Sequence, residues 1–279
     1  MFNGTRWSPA ALYSSAIGWG ARRRLPKPLR GPMYSAFAKA VGASLKEVEQ
    51  PLSAYPTFSS FFARRLRGGA RRFVCDDDAF ISPSDGRVSA VGTIESGRLL
   101  QAKNHFYQLK ELLDDVELAK ELEGGTYVTI YLSPKDYHRV HAPCVMQISG
   151  YTHVPGSLYP VGPRAAARID GLFARNERVV IPFEADGGKG ALVMVAAIGV
   201  GNIELSNPPV RLAEPRRFHG GARWTSLDAP ITLTPGQDLG AFHLGSTVIL
   251  CLGPGSLLEQ LEVGQSLVVG QPLGQKGRS

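Results

Sequence analysis

The spacing of hydrophobic and polar positions changes character near residue 73. Before it, Met33, Phe37, Ala40, Val41, Leu45 and Val48 recur at helical intervals and predict an amphipathic helix that Pro51 ends. Further upstream, Ser8-Pro9 supplies an N-cap followed by proline at the first helical position, and Ala10 to Trp19 continues as a short apolar helix. Arg22 to Pro32 reads as a basic, proline-broken linker between the two. Beyond Phe73 the chain becomes a series of short β-rich runs, at Tyr127 to Leu132, Val145 to Tyr151, Val179 to Phe183, Leu192 to Val200 and Thr247 to Leu252, separated by Gly, Pro and Asp. A single helix, Gln108 to Leu122, interrupts them, marked by Leu109, Leu112, Leu113, Val116 and Ala119. The pattern predicts an α+β chain: N-terminal amphipathic helices in residues 1–72, then a β-rich domain of mostly antiparallel strands in residues 73–279.

Charge sharpens that division. The 279 residues carry a formal charge of +7, distributed as +11 over residues 1–72 and −4 over residues 73–279. A basic arm on an acidic body suggests an anionic partner, either a membrane surface or a nucleic acid. Aromatics interleaved with arginines between Tyr55 and Arg72 suit a lipid headgroup layer or stacked bases, and equally suit a helix pair packed on the body with a solvated basic face. No apolar run is long enough to cross a bilayer as a helix. Arg22, Arg23 and Arg24 follow the first apolar stretch rather than precede it, which is not the layout of a secretory signal. Three widely spaced cysteines, Cys75, Cys144 and Cys251, give no disulfide framework and fit a reducing compartment.

Candidate chemistry gathers at three places. Val248 to Leu252 is a continuous apolar run closed by Gly253-Pro254-Gly255, so it reads as a buried strand with Ser246 at its entrance. Gly245 precedes that serine, leaves its own carbonyl unobstructed and tolerates unusual backbone angles, which is what attack by a serine on its own peptide bond needs. The plain alternative is a turn before a strand. Asp85 sits in a turn within Ser82-Pro-Ser-Asp-Gly86, and His138 and His141 lie in Ser133-Pro-Lys-Asp-Tyr-His-Arg-Val-His141. These groups can form a relay in which Asp85 orients His141 and His141 takes the proton of Ser246, although Asp-Gly is also a common turn pair and strand-end histidines are often structural. His138-x-x-His141-x-x-Cys144 could instead be a fragment of a zinc site, a reading weakened by Pro143 and by the absence of a second cysteine pair nearby.

From about Met33 to about Gly255 the chain resembles the bacterial, proenzyme-type phosphatidylserine decarboxylases. The motifs that carry the likeness are Tyr55-Pro-Thr-Phe58 with Phe61-Phe62-Ala-Arg64, Ser82-Pro-x-Asp-Gly86, Ser133-Pro-x-Asp-Tyr-His-Arg-Val-His141, Pro155-Gly-x-Leu-Tyr-x-Val161, Leu172-Phe-x-x-Asn-Glu-Arg178 and Leu244-Gly-Ser-Thr247. Ser84, Ala196 and Pro235 depart from the family's usual small apolar residue, glycine and lysine, and none of them is a proposed catalytic group.

The resemblance implies self-cleavage between Gly245 and Ser246, with Asp85, His141 and Ser246 as the processing relay and chains of residues 1–245 and 246–279 as products. It implies that Ser246 becomes a covalent pyruvoyl group, with neither metal nor pyridoxal phosphate, whose ketone accepts the electrons released as carbon dioxide leaves. His138 would then return a proton to the substrate carbon. The implied substrate is phosphatidylserine, the implied product phosphatidylethanolamine, and the implied state a homodimer held peripherally on the cytoplasmic side of the cell membrane. Nucleic acid becomes the weaker partner. Two other classes remain as alternatives: a Ser-His-Asp hydrolase that never cuts itself, and a β-rich membrane-surface module without turnover.

Overall fold

A computed structural model describes residues 19–73, 79–102, 105–186, 188–197, 203–207, 209–212, 221–243 and 245–276. The expected helix of Ala10 to Trp19, its last residue excepted, and most of the N-terminal basic arm's first third therefore lie outside the described residues, as do Cys75 and Leu244.

The first long helix, α1, spans Lys27–Val41. It begins earlier than its apolar spacing predicted, because Pro28 sits in the first turn, where a missing N–H costs nothing, and the helix then tolerates Pro32. It also stops earlier. Gly42 adopts φ 76° and its N–H returns to the Ala38 carbonyl, a left-handed cap that ejects Leu45 and Val48 from the helix. Both still pack with Tyr34, Tyr55 and Phe61 in a small aromatic cluster of their own. Helix α2, Phe58–Phe62, starts from a capping box in which Thr57 and Ser60 satisfy each other's backbone. The expected helix of Gln108 to Leu122 is two helices, α3 (Leu109–Leu113) and α4 (Val116–Glu121). Asp114 takes φ 53°, and Asp115 caps α4 by accepting from the Glu117 and Leu118 N–H groups at 3.0 Å each.

Seventeen strands follow among the described residues. In chain order they are β1 Ala79–Ile81, β2 Gly86–Thr93, β3 Arg98–Ala102, β4 His105–Gln108, β5 Thr126–Leu132, β6 Arg139–His141, β7 Met146–Val154, β8 Arg178–Ala185, β9 Gly188–Ala196, β10 Ile203–Ser206, β11 Pro209–Leu212, β12 Arg223–Leu233, β13 Asp238–Phe242, β14 Ser246–Leu252, β15 Ser256–Leu258, β16 Ser266–Leu267 and β17 Pro272–Lys276. Short helices α5 (Pro163–Ala166) and α6 (Leu172–Arg175) lie between β7 and β8. Eight strands form one sheet in the order β12-β7-β8-β9-β14-β5-β2-β16, and four form another, β11-β10-β13-β6. All pairings within these sheets are antiparallel.

Strand alternation divides the core into two. On β14, Val248, Leu250 and Leu252 face one way, and with Ile130, Met194, Val140, Ile203 and Phe242 they fill the space between the two sheets. Ile249 and Cys251 face the other way, into a second core closed by the β3–β4 hairpin and helices α3 to α6. A strand apolar on both faces has no polar side to present to water, which is why β14 reads as an unbroken hydrophobic run and sits at the centre of its sheet.

Candidate active site

The chain passes from β13, in the four-stranded sheet, to β14, in the eight-stranded one, through residues 243–245 alone. Ser246 is the first residue after the crossing, registered between Leu132 of β5 and Ala196 of β9. By alternation it faces the same side as Val248, into the space between the sheets. It is fully buried, and its Oγ has no hydrogen-bond partner among the described residues, as is true of Thr247 Oγ1 behind it. A buried hydroxyl left unsatisfied costs roughly 1–3 kcal/mol, and Ser246 Oγ shares that state with other buried groups, among them His138 Nε2 and Thr129 Oγ1. Gly245 has room around it: an added Cβ would meet only the Cβ of Ala197, at 3.9 Å.

His141 ends strand β6 and His138 immediately precedes it, where its carbonyl still pairs with the Phe242 N–H, so the two histidines fall on opposite faces. Val140 lies in the core between the sheets, and His138, two residues earlier, shares its side. His138 is completely buried. Its Nδ1 donates to the Asp136 carbonyl at 2.8 Å, which leaves Nε2 as the lone-pair nitrogen, and that atom has no partner among the described residues. Burial, reinforced by the neighbouring Arg64 charge and only partly opposed by the Asp136 bond, drives its pKa down to about 3. His141 faces the other way. Its Nδ1 donates to the Gly236 carbonyl at 2.7 Å and its Nε2 accepts from the Tyr137 hydroxyl at 3.1 Å. Burial lowers its pKa as well, while the Gly236 bond and the carboxylates of Asp238 and Asp85 favour the protonated form. Gly236 is held by geometry: its φ is +80°, and a Cβ there would lie 2.4 Å from the Phe73 ring.

Asp85 is not hydrogen-bonded to His141. Its Oδ2 accepts from Arg71 at 3.0 Å and its Oδ1 from the Val269 N–H at 2.8 Å. Among the described residues the three groups of the expected relay are therefore not joined by hydrogen bonds, and only Asp85 and His141 interact, through charge. His138 and His141 diverge across β6, so they do not converge as ligands of one metal ion.

Residues 59–73 cover this end of the sandwich, which composition did not reveal. The Phe62 ring lies on His138, Ala63 accepts from Arg139 at 3.1 Å, Arg65 pairs with Asp238 at 3.1 Å, and Phe73 lies against His141. Arg71 bridges Asp85 and Glu47. Phe61 and Phe62, which composition offered to lipid or to bases, are wholly inside the protein, and Arg64 is buried over the Phe61 ring. The arginines at 64 and 71 therefore belong to the site's wall. Acidic partners far along the chain, Asp85 and Asp238, were the missing part of that pattern.

The Asn176-Glu177-Arg178 motif supports the other flank. Asn176 Nδ2 donates to the carbonyls of Tyr159 at 3.0 Å and of Ala196 at 2.9 Å, and the Glu177 carbonyl accepts from the Ala196 N–H at 2.9 Å. Ala196, the cross-strand partner of Ser246, is thereby fixed on both its backbone groups. Arg178 spends its guanidinium on four carbonyls, those of Leu112, Ala174, Asn176 and Glu111. His153 and Glu177 form a buried pair at 3.0 Å.

Together the fold and the site define an α+β enzyme in which a buried serine opens an interior strand behind a covering N-terminal segment. The family model for phosphatidylserine decarboxylase matches residues 58–275. Phosphatidylserine decarboxylase proenzymes of Anaeromyxobacter sp. (strain K) and Bordetella petrii are 42% and 43% identical over 277 and 256 residues, covering 96% and 89% of this chain and 95% and 86% of their own lengths. That of Yersinia enterocolitica is 40% identical over 266 residues, covering 92% of this chain and 90% of its own. The chain belongs to the phosphatidylserine decarboxylase family, and its activity is that of a carboxy-lyase of phospholipid biosynthesis made as a proenzyme. The α+β reading holds, with N-terminal helices followed by mostly antiparallel sheets. Among the described residues no helix is long and apolar enough to cross a membrane, and the family acts on a membrane lipid.

Proposed function

We propose that the chain cuts itself between Gly245 and Ser246, becomes two chains of residues 1–245 and 246–279, and then decarboxylates phosphatidylserine to phosphatidylethanolamine. The observation that carries this reading is the buried Ser246 Oγ, without a partner among the described residues, held on the rigid end of β14 beside the unobstructed Gly245. Ser246 Oγ attacks the Gly245 carbonyl carbon, the Gly245–Ser246 amide becomes an ester, and elimination of that ester followed by hydrolysis removes the Ser246 nitrogen as ammonia.

His141 is the base of this reading. Its tautomer leaves Nε2 as an acceptor, only a hydroxyl occupies it, and the Asp85 and Asp238 carboxylates stabilise the imidazolium that would form. Asp85 acts on it through space. His141 lies on the face of β6 turned away from Ser246, so in this reading the ring leaves both the Tyr137 hydroxyl and the Gly236 carbonyl and turns before Nε2 takes the proton. His138 shares the side of Ser246, yet a pKa of about 3 makes it a poor proton acceptor in the precursor.

The residues fit a pyruvoyl group at position 246, because a buried atom without a partner and an adjacent glycine leave space for a planar ketone. Such a group supplies an electron sink for the decarboxylation. Around it, His138 presents a lone-pair nitrogen to the enclosed space. An anionic phospholipid headgroup arriving beside it supplies the counter-charge that lets it hold the proton later delivered to the substrate carbon. Phe62, whose ring lies on the imidazole, keeps bulk water from that proton.

The membrane side follows from the N-terminus. Trp19, Leu29 and Met33 are exposed beside Arg22, Arg23, Arg24 and Lys27, a mixed apolar and cationic face for the anionic cytoplasmic leaflet. Each such cation contributes about 1 kcal/mol near an anionic surface. A homodimer is the expected assembly.

Intact mass spectrometry of purified protein tests the reading. The natural sequence runs as two chains, and Ser246→Ala as one species of 30.0 kDa. An active protein that remains a single chain would overturn it.

A further inference from the structure

Between Phe242 and Ser246 the chain leaves one sheet and joins the other, and within that passage one described side chain is anchored on both sides. His243 is buried, with Nδ1 2.8 Å from Ser59 Oγ and Nε2 3.0 Å from Glu204 Oε2. With Glu204 ionised, Nε2 carries the proton and donates to the carboxylate, and Nδ1 accepts from the Ser59 hydroxyl. One imidazole thus ties α2, β10 and the end of β13 together. Just before it, the Phe242 N–H donates to the His138 carbonyl at 2.8 Å. Just after it, Ser246 is locked by pairing with Leu132 and Ala196. The bond to be cut lies in a short strap clamped at both ends.

Clamping matters because of the geometry of the attack. Ser246 Oγ reaches the Gly245 carbonyl carbon through a five-membered ring, so the planar peptide must turn its face to the hydroxyl. Ser246 itself is fixed by the sheet, so the direction of the Gly245 carbonyl is set from the upstream side. A misplacement of about 1 Å at a reacting centre costs on the order of 10²-fold in rate.

We propose that His243 is a positioning residue for self-cleavage, held by Ser59 and Glu204, so that docking of α2 against β10 and β13 is a condition for acyl transfer at Gly245–Ser246. The proposal rests on the self-cleavage reading above. In the step concerned, the Ser246 Oγ to Gly245 carbon bond forms, the Gly245 carbon to Ser246 nitrogen bond breaks, and the hydroxyl proton ends on the released amine. No co-reactant is needed.

The test follows freshly synthesised full-length precursor through time by gel, with and without hydroxylamine. Hydroxylamine captures the ester as a hydroxamate at Gly245 and so reads acyl transfer apart from elimination. His243→Phe fills the space without hydrogen bonds, His243→Gln keeps an amide donor towards Glu204, and Ser59→Ala removes the helix contact. His243→Phe is expected to slow cleavage about 10-fold or more under both conditions and Ser59→Ala several-fold, with His243→Gln recovering part of the rate. The Tm of the same variants in a Ser246→Ala background is expected to stay within a few degrees of the parent. Wild-type rates in His243→Phe and Ser59→Ala would overturn the proposal, and so would slowing that tracks a fall in Tm through all three variants. Failure of the underlying reading looks different, because the wild-type chain would then stay whole even in hydroxylamine.

Discussion

The ring of Phe62 lies 4.2 Å from the ring of His138, centroid to centroid, and seals the histidine from water. Phe62→Ala is expected to let water reach the imidazole and to raise its pKa from about 3 towards the ordinary 6.5. NMR titration of the His138 ring protons in an uncut Ser246→Ala background reads this directly. A ring that still titrates near 3 in the variant would show that Phe62 is not the seal. The lost aromatic should also cost about 3–5 kcal/mol of stability.

A neutral buried histidine makes stability depend on pH with a definite sign. Both His138 and His141 have folded pKa values below 6.5, so the unfolded chain binds more protons than the folded one in acid. Stability is therefore full above about pH 6.5 and falls as the pH is lowered towards about 3, the window set by His138. Urea unfolding of the Ser246→Ala precursor across that range should show it. His138→Gln should reduce the slope by about one proton, roughly 1.4 kcal/mol per pH unit, and parallel curves for the two proteins would contradict a neutral His138.

Maturation and turnover should separate by residue. His141→Ala and Asp85→Asn are expected to accumulate uncut chain, the first by loss of the base and the second by loss of the charge that favours its protonation. His138→Ala is expected to cut normally and to decarboxylate ~10²- to 10⁴-fold more slowly. The opposite pattern, with His138→Ala uncut and His141→Ala cut, would move the base to His138, whose Nε2 has no partner among the described residues.

Membrane attachment should have two components that salt distinguishes. Neutralising Arg22, Arg23, Arg24 and Lys27 is expected to weaken binding to phosphatidylglycerol vesicles mainly at low salt. The Debye length shrinks from about 10 Å at 0.1 M to about 3 Å at 1 M, so charge contributes little at the upper end. Replacing the exposed Leu29 and Met33 by Gln is expected to weaken it at every salt concentration. Co-sedimentation across a salt series checks both, and unchanged binding in the double Gln variant would remove α1 as the inserting element.

The central strands were legible because their signal is local. A run such as Val248 to Leu252, apolar on both faces, announces a buried strand without reference to anything else. Strands β10, β11, β13 and β15 to β17 were not, since they are short and owe their form to partners far along the chain, and β12, though 11 residues long, is a sheet edge with mostly exposed side chains and gives no apolar run. Gly42 and Asp114 cut helices where periodicity alone would have extended them, because one left-handed residue outweighs a continuing apolar face. For the site, residue types in motifs named Asp85, His138, His141 and Ser246. Which face of β6 each histidine takes depended on a sheet that sequence did not show. The contacts made by Phe62, Arg71, Gly236 and His243 depended on the long-range fold in the same way.

Strand β14 pairs along all seven residues with β5 on one side and with β9 on the other. The proposed cut immediately before its first residue would leave the smaller fragment woven through the middle of the larger one. The polypeptide then records its own history: folding happens once, as a unimolecular event, and the mature pair cannot repeat it. After heating or denaturant, recovery would require two separate molecules to meet, at a rate that depends on concentration and against competing association of exposed strand edges. With the proposed cut, the interior placement of a single serine would turn a reversible folding problem into an irreversible assembly.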